Sequence, residues 1–317
     1  MKYLLTGFFL FVLLAVLYVV RPIPFVKRSD MAISVAPSNL RSHVELLSTT
    51  YSPRSWDSIE GTRQTVSYIE KHFQAMGAKV GKQRFSIGER EIENVIARYG
   101  ESGPLLVVGA HYDTYGDTPG ADDNASGVAG VLELARILNR FPIPGVRIEL
   151  VAFATEEPPH FTTPLMGSAQ YVASLVESGE KPELTVILEM IGYFSDEPDS
   201  QRYPVRFLTW VYPSVGNFIG VIGNFGFFSP TCYVKARMME ASKLPVYSIN
   251  APRIVPGIDF SDHRNFWDAG FPAVMITDTA DFRNLNYHQV TDTASTLDYS
   301  RMAEVVGGVY SVLKGYS

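Results

Sequence analysis

The chain has 317 residues, enough for one large domain or two small ones, and 46% of them are apolar, so a sizeable core can form. The formal net charge is −6 and the sequence has no basic tract, which argues against a nucleic-acid partner. The single cysteine, Cys232, excludes a disulfide bond within the chain and any cysteine-rich metal site.

The first segment, residues 4–20, is an uncharged and mostly apolar run. As a helix it would extend for about 25 Å, close to the thickness of the hydrocarbon core of a membrane. No small-residue cleavage pattern follows the run, so an uncleaved signal anchor over residues 1–20 is favoured over a cleaved signal peptide. Basic residues flank the run on both sides and leave its orientation open. We expect a single-pass membrane protein whose main domain lies outside the cytoplasm.

Residues 21–37 form a charged, proline-containing linker, and residues 38–317 are predicted to be one domain. Apolar runs predict strands over residues 92–99, 104–110, 146–155, 184–192, 205–211 and 271–277. Helical spacing predicts helices over residues 57–76, 126–139, 166–178, 262–269 and 297–315, with a less regular helical region over 214–240. This alternation predicts an α/β three-layer sandwich with a largely parallel, mixed central sheet.

Metal-ligating residue types stand at the ends of several predicted strands. His111 and Asp113 follow strand 104–110, Glu156 and Glu157 follow strand 146–155, and Glu189 lies in strand 184–192. The carboxyl ends of parallel strands meet at one edge of a sheet, where ligands bind. A buried carboxylate is costly unless it is paired or bound to a cation. The strand ends together therefore predict one shared cation site.

Two loops add candidates to this edge. Asp123 lies in GADDNASG (residues 120–127), an acidic turn that leads into a helix, and its two oxygens are able to bridge two cations. His288 lies in LNYHQVTDT, after the last strand. Taken singly, each has an ordinary explanation: helix capping for Asp123 and a hydrogen bond within a turn for His288. The combination of loops and strand ends is what favours a metal site.

In chain order, the motifs HYDT, GADDNASG, FATEE, MGSAQY, LEMIG, SDHRNF and YHQVTDT resemble the co-catalytic zinc exopeptidase family. That family contains bacterial leucyl aminopeptidases, the glutamate carboxypeptidase branch and the glutaminyl cyclases, and the resemblance covers about residues 40–315. It implies two Zn²⁺ ions per chain. One ion would be held by His111 and Glu189 and the other by Glu157 and His288, with Asp123 bridging them.

The resemblance implies catalytic roles as well. Glu156 would be the general base that takes a proton from a metal-activated water, and Asp113 would orient His111. Asp262 and His263, in SDHRNF, would line the substrate pocket, unless Asp262 only caps the helix that starts there. Bacterial aminopeptidases of the family commonly carry Asp where this chain has Glu189. The expected activity is a zinc metallo-exopeptidase, an aminopeptidase that releases N-terminal residues from peptides.

Three other functions stay open on the same fold. A glutaminyl-peptide cyclotransferase would use a single zinc ion. A non-catalytic binding ectodomain would have lost ligands or the base, whereas this sequence retains them all. A carboxypeptidase would need a cationic pocket for the substrate carboxylate, for which Arg253, Arg264 and Arg283 are candidates.

Overall fold

A computed structural model of the protein describes residues 6–7, 20–22, 26, 33–225 and 229–317. The predicted membrane segment and much of the predicted linker lie outside these residues. Among the described residues, none of the helices combines the length and the apolar character that a membrane span requires.

One mixed sheet of eight strands forms the centre of the described chain. Its strands in chain order are β1 (Lys79–Ile87), β2 (Arg90–Tyr99), β3 (Leu105–His111), β4 (Arg147–Phe153), β5 (Leu184–Glu189), β6 (Ile219–Asn224), β7 (Val246–Ala251) and β8 (Ala273–Thr277). They are arranged in the order β1-β2-β4-β3-β5-β8-β6-β7. The central strands β4, β3, β5 and β8 are parallel, while antiparallel pairs join β1 to β2, β2 to β4 and β8 to β6. The predicted mixed, largely parallel sheet is confirmed.

Helices cover both faces of this sheet. They are α1 (Pro37–Glu45), α2 (Ile59–Ala75), α3 (Gly127–Arg140), α4 (Gly167–Ser178), α5 (Thr231–Ala241), α6 (His263–Asp268) and α7 (Tyr299–Lys314). Successive strand residues point to opposite faces, so Leu106 and Val108 of β3 enter the larger core whereas Leu105 and Val107 enter the smaller one. The larger core lies under α1, α2, α3, α5 and α7, and the smaller core lies under α4 and α6.

Two sequence-based assignments were wrong. Residues 205–211, predicted as a strand, form a short 3₁₀ helix, Arg206–Trp210, whose only buried residue is Leu208. Its other apolar side chains face outward, so their alternation does not mark a buried strand. Residues 214–240, predicted as helical, contain β6 before α5. The prediction also missed α1, β1 and β7. Strand β1 lies at the edge of the sheet and has no fully buried residue, so its apolar pattern is weak.

The carboxyl edge of the parallel strands brings the metal-ligating residue types together. His111 is the last residue of β3 and Glu189 is the last residue of β5. Glu156 and Glu157 lie just past the end of β4, which is hydrogen-bonded to β3. Strand β5 ends earlier than predicted, which places Glu189 at the edge instead of inside the sheet. This edge is the candidate site.

Candidate metal centre

The five residues implied as zinc ligands lie in two groups that share one member. His111, Asp123 and Glu189 form the first group, and Asp123, Glu157 and His288 form the second. Within each group the ligand atoms lie within 4.8 Å of one another. All are buried except His288, whose side chain is 21% exposed. Asp123 is therefore in the position that a bridging carboxylate requires.

The distances between donor atoms test whether the residues fit zinc. His111 Nε2 lies 3.4 Å from Asp123 Oδ1 and 3.3 Å from Glu189 Oε2. His288 Nε2 lies 3.2 Å from Asp123 Oδ2 and 3.3 Å from Glu157 Oε2. Nitrogen and oxygen ligands of a tetrahedral zinc ion stand about 2.0–2.2 Å from the metal, which puts them about 3.3 Å from each other. Both groups have the spacing of zinc ligands.

Unpartnered atoms point to the same conclusion. Asp123 Oδ2, Glu157 Oε1 and His288 Nε2 are buried and have no hydrogen-bond partner among the described residues. An unpaired buried polar atom costs about 1–3 kcal/mol, so several in one place require an explanation. A cation held by these atoms would satisfy them. Nitrogen and carboxylate donors suit Zn²⁺, and they also accept Co²⁺ and Mn²⁺.

The ionisation of the site shows an excess of carboxylates. Burial and the neighbouring Asp123 raise the pKa of Glu157 to about 8, although His288 and His111 partly offset them. Burial opposes charge on His288, but the carboxylates of Asp123 and Glu157 prevail and raise its pKa to about 10. Burial likewise opposes charge on His111, whose pKa is nevertheless raised well above its ordinary value by Glu189 and Glu156. Divalent cations would neutralise this excess negative charge.

Glu156 lies beside the ligand groups but belongs to neither of them. Its Oε2 is 3.9 Å from His111 Nε2, farther than the histidine–carboxylate distances of 3.2–3.4 Å within the two groups. Burial raises the pKa of Glu156 well above its ordinary value, and the negative charges of Glu157 and Glu189 add to this effect, partly offset by His111. A buried carboxyl group next to the metal ligands, but outside their groups, is positioned to transfer protons.

Asp113 holds several site residues at once. Its two carboxylate oxygens accept hydrogen bonds from the backbone N–H groups of Glu156 and Glu157, both at 3.0 Å. Asp113 Oδ1 also lies 3.4 Å from His111 Nδ1, the ring nitrogen that faces away from the ligand group. A carboxylate in this position fixes the orientation of a metal-binding imidazole. The contacts match the orienting role expected for Asp113.

Asp292 makes a parallel arrangement that the sequence did not reveal. Its carboxylate accepts hydrogen bonds from the N–H groups of Asp122 at 2.9 Å and Asp123 at 3.1 Å. Asp292 is buried and follows His288 in the motif YHQVTDT. It therefore links the segment that carries His288 to the loop that carries the shared ligand. The only signal in the sequence was its place in that motif.

The polar residues of the GADDNASG loop bind the end of β5. The side chain of Asn124 donates to the Leu188 carbonyl at 2.8 Å and accepts from the Met190 N–H at 3.1 Å, so it brackets Glu189. Asp122 accepts from the Gly192 N–H at 3.0 Å. Asn124 also accepts from the N–H of Gly127, the first residue of α3, at 3.0 Å, so capping explains only part of its role. The remaining bonds of Asn124 and Asp122 reach the end of β5. They fix Glu189 relative to Asp123.

Arg54 is another residue that sequence reasoning missed. Its guanidinium is fully buried and donates to the backbone carbonyls of Tyr112 at 2.9 Å, Leu47 at 2.7 Å, Pro119 at 2.9 Å and Gly120 at 2.8 Å. These bonds hold the loop between β3 and Asp123. No sequence motif marked Arg54, because its partners are carbonyl groups distant in sequence.

Two tyrosines enclose the exposed side of the second group. The ring of His288 stacks on Tyr115 at 4.1 Å and on Tyr287 at 3.8 Å between ring centroids. Tyr287 is largely buried, and burial together with Asp123 and neighbouring glutamates raises the pKa of its phenol far above the ordinary value. The phenol therefore stays protonated and can donate a hydrogen bond at the site.

The SDHRNF motif has a supporting role. Asp262 accepts a hydrogen bond from Ser168 at 2.5 Å and does not cap α6, so the capping alternative is wrong. His263 is fully buried, donates to the Ile258 carbonyl at 2.7 Å and does not line the cavity beside the metal groups. Ser261 contacts the site directly, because its hydroxyl donates to Glu189 Oε2 at 2.7 Å.

The three arginines considered for a carboxylate pocket already have partners. Arg253 pairs with Asp268 at 2.7 Å, and Arg264 lies 3.7 Å from Asp259. Arg283 is buried and donates to two backbone carbonyls and one side-chain amide. Arg253 and Arg264 are thus each next to a carboxylate, and Arg283, although its Nη2 has no hydrogen-bond partner, is buried away from solvent.

A mainly apolar cavity, open to solvent, adjoins the first ligand group. Glu189 and Tyr287 are among its lining residues. Aromatic residues supply much of the remaining wall: Tyr203, Tyr212, Phe218, Tyr247, Phe260 and Phe282. Such a cavity suits a large apolar side chain next to the metal centre.

An eight-stranded α/β sandwich with two carboxylate–histidine groups that share one aspartate has the arrangement of a candidate two-metal site. Residues 94–211 match the family described as Peptidase family M28. The chain is 46% identical over 288 residues to "Uncharacterized protein YfbL" of Escherichia coli (strain K12), covering 88% of both chains. It is 25% identical over 310 residues to "Leucine aminopeptidase 1" of Trichophyton equinum, covering 90% of this chain and 76% of that protein.

Solved structures share the fold. LapB from Legionella pneumophila superposes with a TM-score of 0.71 at 23% identity, covering 88% of this chain and 71% of LapB. BSAP, a zinc aminopeptidase from Bacillus subtilis, gives 0.69 at 15% identity, covering 88% and 94%. A glutaminyl cyclase from Porphyromonas gingivalis gives 0.68 at 19% identity, covering 91% and 100%. The chain belongs to peptidase family M28, and the resemblance seen in its motifs is confirmed.

We predict that Asp292→Asn weakens zinc binding by about 10- to 100-fold, the usual effect of losing a partner that orients a metal ligand. The amide keeps one acceptor oxygen but presents N–H to the second backbone donor, so the Asp123 loop loosens. Competition with a chromophoric zinc chelator measures the affinity. Asp298→Asn is the matched control, because Asp298 also accepts two backbone N–H groups but only caps α7. Equal affinities in the two variants would contradict the prediction.

We predict that His263 contributes to acid destabilisation. Burial lowers its pKa to about 4, below the value of about 6.5 in an unfolded chain. As pH falls from about 6.5 to 4, the unfolded chain binds a proton that the folded chain does not, so stability decreases. In His263→Gln the loss of unfolding free energy between pH 7 and 4.5 should be smaller by about 2 kcal/mol. Denaturant titrations with a chelator present measure this, and an unchanged loss would refute it.

Proposed function

We propose that this protein is a zinc-dependent aminopeptidase that releases N-terminal residues from peptides. The observation that carries the proposal is the pair of ligand groups that share Asp123, with donor atoms 3.2–3.4 Å apart and Glu156 beside them. His111 and Glu189 would hold one Zn²⁺, Glu157 and His288 the other, and Asp123 both. The family and its aminopeptidase relatives support this assignment.

Bound zinc supplies Lewis acidity, which polarises a peptide carbonyl and makes a nearby water a stronger acid. Glu156 takes the proton of that water and later delivers it to the leaving amine. Its buried position and raised pKa suit a group that must hold a proton between two steps. Asp113 keeps the Glu156 backbone and the His111 ring in place. The protonated phenol of Tyr287 is available to donate a hydrogen bond to the substrate.

The charge of the site favours the N-terminal end of a peptide. Cations would neutralise the carboxylates of the ligand groups, but Glu156 lies outside these groups and can attract the ammonium group of a peptide N-terminus. A carboxypeptidase needs an accessible, unpaired cation for the opposite end, whereas Arg253 and Arg264 lie next to carboxylates and Arg283 is buried. The neighbouring cavity would then accept the side chain of the N-terminal residue.

Two alternative functions on the same fold have weaker support. A glutaminyl-peptide cyclotransferase with a single zinc is less well supported, because both ligand groups have a complete set of donors. A binding domain without activity is disfavoured because the base and all ligand residues are present.

We further propose that residues 1–20 anchor the protein in a membrane with the peptidase domain outside the cytoplasm. The uncharged apolar run over residues 4–20 supports the membrane anchor.

The direct test is an assay of the purified chain against aminoacyl-p-nitroanilides and N-terminal glutaminyl peptides, with zinc content measured on the same sample. We expect about two zinc ions per chain and chelator-sensitive aminoacyl hydrolysis. Glu156→Gln should retain zinc but lower kcat by about 10²–10⁴-fold, because the general base is lost. Glu101→Gln, on an exposed turn, is the matched control.

Other outcomes would redirect the assignment. Pyroglutamate formation with one zinc ion would identify a cyclase. Retention of more than about a tenth of the activity in Glu156→Gln would exclude Glu156 as the general base, since that role is worth at least about 10²-fold.

A second prediction concerns residue preference. Ile222 of β6 lines the cavity, so Ile222→Phe should reduce its volume. We expect kcat/KM for leucyl and phenylalanyl substrates to fall by about tenfold or more, while that for alanyl substrates changes little. Val176→Phe, at a position that is 59% exposed on α4, is the control. A uniform loss across all substrates would show that the cavity does not select the N-terminal side chain.

A further inference from the structure

The end of the apolar N-terminal run is docked on the peptidase domain. Arg21, the first residue after the run, donates to the Val211 carbonyl, and its guanidinium lies 4.8 Å from the ring centroid of Tyr212 and 5.2 Å from that of Tyr247. The Pro22 carbonyl accepts from the buried Lys235 amine at 3.0 Å. Hydrogen bonds and cation–π contacts therefore attach this short segment to the domain.

Next to this attachment is an exposed aromatic pair. Trp210 is 83% exposed and Phe207 is 51% exposed, both on the 3₁₀ helix Arg206–Trp210. Arg202 and Arg206 are exposed beside them. Tryptophan is enriched where proteins meet the membrane–water interface, and nearby arginines attract anionic headgroups. The residues combine the apolar and basic character of a lipid-contacting surface.

We propose that the helix Arg206–Trp210 lies on the membrane surface, with Trp210 and Phe207 in the interfacial layer, and that Arg21 holds it there. Lipid is the expected partner of this surface because the surface is attached to the residue that directly follows the apolar run. Val20 ends the apolar run, and Arg21 is bonded to Val211, the residue next to Trp210. If residues 4–20 cross the membrane, as proposed above, Arg21 marks the interface, and Trp210 lies at the same level.

This surface shares its supporting residues with the cavity beside the metal centre. Leu208, from the same helix, lines the cavity, as do Tyr212 and Tyr247, the two rings that contact Arg21. One wall of the cavity is thereby built on the segment that contacts lipid. The metal centre would stand over the membrane in a fixed orientation and would not swing freely on its linker.

Tryptophan fluorescence tests the proposal on the full chain. The chain has three tryptophans, Trp56, Trp210 and Trp267, and none lies in the N-terminal run. The protein is reconstituted into phosphatidylcholine–phosphatidylglycerol vesicles with or without bromine at the 6,7 positions of the acyl chains. Bromine should quench roughly a third of the emission, the share of one tryptophan in three.

Single-residue variants identify which tryptophan is quenched. Trp210→Phe should abolish the quenching, whereas Trp267→Phe, which removes a buried ring, should leave it intact. Arg21→Ala should lower the quenching at least twofold while the protein still floats with the vesicles, because the domain is released from the anchor.

Each contrary result overturns the proposal in its own way. Flotation without quenching would show that Trp210 faces water, although the anchor holds. Failure to float with vesicles would show that residues 1–20 do not anchor the protein in a membrane. Trp210 emission that shifts on protein dilution but ignores lipid bromination would identify a second copy of the chain as the partner. None of these results bears on the peptidase assay, so the proposed activity stands or falls separately.

Discussion

The structure of the site depends on how two aspartates hold the backbone. Asp113 accepts two consecutive N–H groups from Glu156 and Glu157, and Asp292 accepts two from Asp122 and Asp123. A carboxylate that receives two N–H donors is tightly fixed, and it fixes the donors in turn. The proposed ligands and the proposed base are therefore positioned by polar groups that do not themselves belong to the ligand groups. Without these bonds, buried carboxylates that repel one another would move apart.

Hydrogen bonds from side chains to the backbone also sustain an unfavourable backbone conformation at the site. Thr155, Met190 and His288 have φ of 53°, 50° and 57°, a left-handed conformation that is uncommon for residues other than glycine. Thr155 precedes Glu156 and Met190 follows Glu189. Such residues cost about 1–3 kcal/mol each and persist only where the surroundings determine them strongly. Here the surroundings are the Asp113 bonds after Thr155 and the Asn124 bond to Met190.

The edge of the sheet was predictable from sequence because buried parallel strands are continuous apolar runs, so His111, Glu156 and Glu189 were visible at their ends. Asp292 and Arg54 were not, because their partners are backbone groups far away in the chain, and no periodicity encodes such contacts. The error at residues 205–211 has a related cause. Apolar residues in this segment predict a strand, but Phe207 and Trp210 are exposed and do not pack into the core. Sequence patterns report burial well and polar partners poorly.

Glu189 is one methylene longer than the aspartate that the resemblance to bacterial aminopeptidases leads one to expect, and the structure shows what holds it in place. Strand β5 ends at Glu189, and Asn124 brackets that end by binding the residues on either side of it. The Ser261 hydroxyl then donates to Glu189 Oε2 at 2.7 Å. As a result, Oε2 lies 3.3 Å from His111 Nε2, a separation equal to that of Glu157 and His288 in the second group. The contacts of Asn124 and Ser261 hold the longer side chain so that its distance from His111 still suits a zinc ion.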